Sequence, residues 1–198
     1  MRVLVVEDQP KMQVLLRQSL EDAGYSVDLA GDGPSAVQQA GGGAYDAVVS
    51  VEMIEAVGHE YWSTYFRTID RLLAPGGKVG VQAITMPHDR MLATRDGHTW
   101  INKYIFPGGF LPSVQAIDEV VTRDTTLRIS DRLAFGTHYA ETLRRWDRRF
   151  LAQRDAVLAL GFDDLFTRVW HFYLAYSHAG FASGYIDVSQ LAFTREDR

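Results

Sequence analysis

The feature that most constrains this chain is a series of short apolar runs, each separated from the next by a helical segment. The first is Val3-Leu4-Val5-Val6, which runs on into Glu7 and Asp8. A continuous rather than alternating apolar run marks a parallel strand buried on both faces, so a strand is predicted over Arg2–Glu7. Met12–Ala23 places Val14, Leu15, Leu20 and Ala23 at helical spacing, and Gly24 stands where such a helix stops. Tyr25–Ala30 reads as a second strand. Pro34 opens a short helix to Ala40, Gly41-Gly42-Gly43 closes it, and Ala47–Val51 reads as a third strand. The order β-α-β-α-β dictates a parallel sheet with right-handed crossovers.

The alternation continues. Glu60–Leu73 carries a helical stripe of Tyr61, Tyr65, Ile69 and Leu72, Pro75-Gly76-Gly77 interrupts it, and Lys78–Ile84 is a strand. Thr85–Pro112 is a connection rich in Pro, Gly, His and aromatics, a composition that argues for a functional loop. Ser113 caps a helix to Val121, Thr126–Ser130 is a strand, and Thr137–Leu160 is one long helix with Tyr139, Leu143, Trp146, Phe150 and Val157 on a face. Asp163 or Asp164 caps a helix to Ala179, and Tyr185–Thr194 closes the chain as a strand.

Composition narrows the function. The 198 residues, 46% hydrophobic and 23% charged, suit a globular domain with a single core. A net charge of −5 gives no global attraction for nucleic acid, and none is expected as a partner. With no cysteine, thiolate metal sites and cysteine nucleophiles are excluded. No apolar stretch nears the ~20 residues that span a bilayer. The expectation is a cytoplasmic protein whose membrane contact is peripheral, at the inner surface.

The opening stretch, MRVLVVEDQPKMQVLLRQSLEDAGYSVDLAGDGPSAVQQAGGGAYDAVV, resembles the start of a response-regulator receiver domain. That resemblance implies a magnesium site at Glu7 and Asp8, whose hard oxygens suit the ion. The residues alone also read as a polar strand end. Val51 and Glu52 stand where a receiver has its phospho-accepting aspartate, so a phosphorelay lacks its nucleophile.

From about Asp46 onward the segments SVEMIEAVG, KVGVQAIT, WINKYIFPGGFLPS, HYAETLRRW and GFDDLFTRVWHFYLAYSHAGF follow in order. Together they resemble the cyclopropane-fatty-acyl-phospholipid synthases and the related mycolic acid synthases. The resemblance implies an α/β fold, a three-layer Rossmann-like methyltransferase sheet. It implies S-adenosylmethionine as methyl donor, a bound bicarbonate as base, and the cis double bond of an unsaturated phospholipid acyl chain as acceptor. The catalytic positions carried over are Glu55, Tyr139, Gln82 and Ile84, the last through its backbone. Gln82 stands where many members have histidine, and an amide takes no proton near neutral pH. A phenol at Tyr139 is expected to donate to the anion. Trp100, Tyr104 and Phe106 are candidates to line the acyl slot, or else cover the sheet. Read without the resemblance, Glu55 is also a helix N-terminal charge and Tyr139 also a core residue. Arg144, Arg145, Arg148 and Arg149 share a helical face, either solvated or facing anionic head groups.

The family's glycine-rich loop after the first strand has no counterpart: Glu7-Asp8-Gln9-Pro10 stands there. The expected organisation is therefore a receiver-like β-α-β-α-β half over residues 1–49 and a synthase-like part over 50–198, merged into one domain. The first strand is expected beside the third. Three outcomes stay open at this point: a lipid methyltransferase, an inactive hybrid scaffold, and a degenerate response-regulator-type signalling module with its magnesium site at Glu7 and Asp8.

Overall fold

The computed structural model describes residues 1–7, 9–41, 45–97 and 99–195. β1 (Arg2–Val6) and β2 (Ser26–Ala30) pair in parallel across α1 (Pro10–Asp22), and α2 (Gly33–Ala40) leads on to β3 (Tyr45–Val51). Asp32 starts α2 by accepting the Ser35 N–H at 2.7 Å, while Pro10 and Pro34 sit in the first turns of α1 and α2, where their missing N–H costs nothing. A 3₁₀ turn (His59–Tyr61) enters α3 (Trp62–Leu72), and β4 (Leu73–Thr85) follows directly. β4 starts five residues before the predicted strand because Gly76, at φ +74°, bends Pro75-Gly76-Gly77 without ending the extended path.

The long connection is not structureless. It holds α4 (His88–Thr94) and α5 (Trp100–Tyr104), the second secured by reciprocal capping between Thr99 and Asn102. Then come α6 (Val114–Asp124), capped by Ser113 as expected, β5 (Leu127–Ala134), α7 (Gly136–Ala152), α8 (Arg154–Ala159), α9 (Asp164–Ala182) and β6 (Asp187–Arg195). The single helix predicted over Thr137–Leu160 is two. Gln153, at φ −104° and ψ 16°, closes α7 and opens α8, which periodicity does not reveal because the apolar spacing runs on through the break.

β3 pairs in parallel with β4, whereas β6 runs antiparallel between β4 and β5, giving the order β3-β4-β6-β5. Val79, Val81 and Ala83 of β4, with Leu191 and Phe193 of β6, face Phe66 and Ile69 of α3 and Ile117 and Val121 of α6. The opposite face meets α7 and α9 through Leu143, Leu174, Phe181 and Val188. This is the expected three-layer arrangement, and each such large side chain contributes about 1.5–3 kcal/mol by leaving water. β1 lies alongside β3, as expected: the Arg2 N–H donates to Asp46 at 3.1 Å, and the Arg2 guanidinium sits 5.4 Å from the Tyr45 ring centre. Even so, no backbone ladder joins them, and β1 and β2 form a separate two-stranded sheet.

Candidate functional site

Strand alternation decides which side chains of β4 reach the site. Val79, Val81 and Ala83 point to α3 and α6, so Gln82 and Ile84 take the other face. Just past β3 the chain turns at Glu52, the one non-glycine residue with positive φ (51°) among those described. Its N–H still donates to Gln82 O at 2.9 Å, extending the ladder by one residue. The backbone turn brings in Glu55, whose Oε1 accepts the Ile84 N–H at 2.5 Å. Glu55 is fixed from behind as well, because its carbonyl accepts the Phe110 N–H at 2.8 Å. The PGG turn that carries Phe110 is in turn held by Asn102, whose amide donates to Gly109 O at 2.6 Å.

Tyr139 arrives from the first turns of α7. The helix can start there because Gly136 approaches Asp187 closely and donates its N–H to Asp187 Oδ1 at 2.7 Å. Tyr139 then donates its hydroxyl to Glu52 Oε1 at 3.0 Å, and the Gln82 amide donates to the same oxygen at 3.0 Å. Gln190 on β6 steadies Gln82 by donating to its Oε1 at 2.9 Å. The four residues picked out by sequence, Glu55, Gln82, Ile84 and Tyr139, therefore converge at the carboxyl ends of β3 and β4. This is where open α/β sheets place their ligands.

Glu52 joins them, although the sequence reading gave it no role. A glutamate one residue past a strand is common, and a left-handed φ is not written in the residue type. Tyr173 on α9 was also missed. It faces Glu52, and burial with that charge raises its phenol above the ordinary value. Burial likewise raises Glu55, with the Glu52 charge adding to it. Tyr139 is raised by burial and then by Glu52, both as a charge and as its hydrogen-bond acceptor. Beneath the site Tyr65 is pushed up to about 12, mainly by burial. Glu55 Oε2 is buried without a partner, and the buried Tyr65 hydroxyl lies beside Ser50.

The aromatic candidates divide. Phe106 packs edge-on against Tyr173, with ring centres 5.9 Å apart, so it continues an aromatic wall toward the carboxylates. Trp100 and Tyr104 lie farther out, Trp100 against Phe172 (4.6 Å) and Tyr176 (6.1 Å) on α9. Of the basic helix face, Arg144 and Arg145 are engaged by Glu141 at 2.6 and 2.8 Å.

The implied small groups fare unequally. For magnesium, the Glu7 carboxylate accepts the Gln9 N–H at 3.0 Å, Asp8 lies outside the described residues, and no group of three or more metal-type ligands occurs among those described. For bicarbonate the fit is poor. The expected donor, Tyr139, has its one hydrogen on Glu52, the Ile84 N–H is on Glu55, and two carboxylates already face the space. The turn after β1 does not fit S-adenosylmethionine in the manner of a glycine-rich loop. Of the described residues there, the Gln9 N–H is taken by Glu7 and Pro10 has none, so neither offers a backbone donor to an anionic group.

Residues 24–191 match the family described as mycolic acid cyclopropane synthetase. The tuberculostearic acid methyltransferase UfaA1 of Mycobacterium tuberculosis is 59% identical over 154 residues, 78% of this chain and 36% of that protein. The cyclopropane-fatty-acyl-phospholipid synthase of Escherichia coli is 34% identical over 76% of this chain and 38% of its own length. This chain thus spans well under half the length of either relative. Among solved structures, the mycolic acid cyclopropane synthase CmaA1 complexed with SAH and CTAB superposes with a TM-score of 0.76. It is 24% identical, and the match covers 97% of this chain and 69% of CmaA1, so the methyltransferase fold extends through β1 and β2. With the family match covering most of its length, the chain belongs to the mycolic acid cyclopropane synthetase family.

Proposed function

We propose that this chain carries the acceptor side of a lipid methyltransferase site, acting on a cis double bond in an unsaturated acyl chain of a phospholipid. The observation that carries the reading is the convergence of Glu55, Gln82, Ile84 and Tyr139 from distant parts of the sequence, beside the aromatic wall of Phe106 and Tyr173. An apolar wall ending in a few fixed polar groups is what an acyl chain with one reactive point requires. Glu55 anchors the β4 backbone. Tyr139 and Gln82 hold the Glu52 carboxylate, which places negative charge where positive charge develops on the acyl chain. Trp100 and Tyr104 line the outer part of the path.

S-adenosylmethionine is the methyl donor this reading requires, and solved neighbours with SAH bound support the class. Bicarbonate beside Glu55 belongs to the family resemblance. No helix among the described residues is long and apolar enough to cross a membrane. The proposed setting is cytoplasmic, with the acyl chain reached from the inner membrane surface. The receiver-like residues 1–49 are proposed as the front of the sheet that residues 50–198 complete.

One observation favours a scaffold without activity, namely that neither Gln9 nor Pro10 offers a free backbone donor after β1. Calorimetric titration with S-adenosylmethionine separates the two. Micromolar binding, about −8 kcal/mol, together with methylated product from oleoyl phospholipid vesicles, supports the enzyme. No heat from the folded protein, and no product, supports the scaffold.

A further inference from the structure

We propose that Glu52 is the terminal proton acceptor of this site, reached through Tyr139, so that the deprotonation step needs no bicarbonate. The inference rests on the lipid methyltransferase reading and assigns its missing base.

Three observations converge on Glu52. It holds a left-handed backbone at φ 51°, a conformation that L side chains adopt at a cost and that the rest of the described chain leaves to glycine. In return, its carboxylate receives both the Tyr139 hydroxyl and the Gln82 amide on one oxygen, each at 3.0 Å. Glu55 cannot serve as well, since one of its oxygens is fixed on the Ile84 N–H and the other is sealed without a partner. With its hydrogen committed to Glu52, Tyr139 turns lone pairs rather than a donor toward the acyl path. That is the arrangement of a proton relay, not of an anion clamp.

The step balances within these residues and the substrate. A carbocation beside a newly added methyl on the acyl chain loses a proton from that methyl to the Tyr139 oxygen. The Tyr139 hydrogen passes to Glu52 Oε1. The released C–H pair becomes a C–C bond closing a ring or a C=C bond, and Glu52 ends as a neutral acid. Gln82 holds the carboxylate in line and itself exchanges no proton. The charged and titratable groups facing Tyr139 are Glu52, Glu55 and Tyr173.

Two measurements on the purified chain test this. Tyrosine ionisation, followed by near-ultraviolet difference absorbance with Tyr139→Phe subtracted, isolates the Tyr139 phenol. In Glu52→Gln it is expected to ionise at clearly lower pH than in the parent, since Glu55 and Tyr173 remain in both. An unmoved midpoint overturns the relay, whatever the turnover. The second measurement is turnover on dioleoyl phosphatidylglycerol vesicles with S-adenosylmethionine in carbonate-depleted buffer. The parent rate is expected to stay within about 2-fold of that with added bicarbonate, and Glu52→Gln to lose about 100-fold in kcat with KM little changed. Glu52→Gly, free of the backbone cost, is expected to melt higher than the parent and lose the same activity. A parent that requires bicarbonate, or a Glu52→Gly variant with parental rate, overturns the proposal. A parent with no turnover in either buffer defeats the methyltransferase reading and the relay with it, and the tyrosine titration then reports only whether Glu52 holds Tyr139.

Discussion

Glu55 has one oxygen on the Ile84 N–H and the other buried without a partner. Burial and the nearby Glu52 charge raise it above its ordinary value of 4.5. A carboxyl raised in the folded state adds stability that is complete below the unfolded value and is lost as pH rises through the folded one. Glu55→Gln keeps the acceptor for Ile84 and removes the charge. It is therefore expected to melt higher than the parent at about pH 8, by about 1 kcal/mol, and to gain little at about pH 4. Melting curves at the two values check this, and equal gains at both would show that charge is not the cause. Glu55, Gln82, Ile84 and Tyr139 were legible in the sequence because each sits in a segment that resembles the synthases. Glu52 was not, because its importance comes from a backbone angle and from two partners 30 and 87 residues away.

At the scale of elements, α7 matters because it sets the height of Tyr139 above β3. Its first residue, Gly136, lies so close to β6 that an added Cβ would be 2.5 Å from Asp187 Oδ1 and 3.1 Å from Asp187 Cα. The second of these is backbone and yields less readily than a side chain. Gly136→Ala is expected to cost about 1–3 kcal/mol in urea denaturation and to displace the start of α7. The same shift draws Tyr139 from Glu52, so its phenol should ionise at lower pH than in the parent. Loss of stability with Tyr139 unmoved would mean that α7 is positioned by α9 rather than by β6. Elements with strong caps, α2, α6 and α9, were legible in the sequence. The break at Gln153 and the helices within Thr85–Pro112 were not, since they depend on packing and on a Thr99–Asn102 cap hidden among turn residues.

At the scale of the molecule, the two ends of the sheet are built differently. β4 and β6 lie at the centre of two apolar clusters. β1 and β2 bond only to each other as strands, none of α1's residues is buried, and Val14 and Leu15 on it are exposed. The resemblance to known sheets implied that β1 belongs beside β3, but not that the seam between them would lack a ladder, because register across a seam is set by side-chain fit. A unit with few buried contacts opens at lower free energy than the core. Amides of Val5 and Leu29 are therefore expected to exchange hydrogen at least about 10-fold faster than those of Val81 and Leu191, as read by mass spectrometry. Equal protection at all four would mean that the Arg2–Asp46 and Arg2–Tyr45 contacts close the seam into one cooperative sheet.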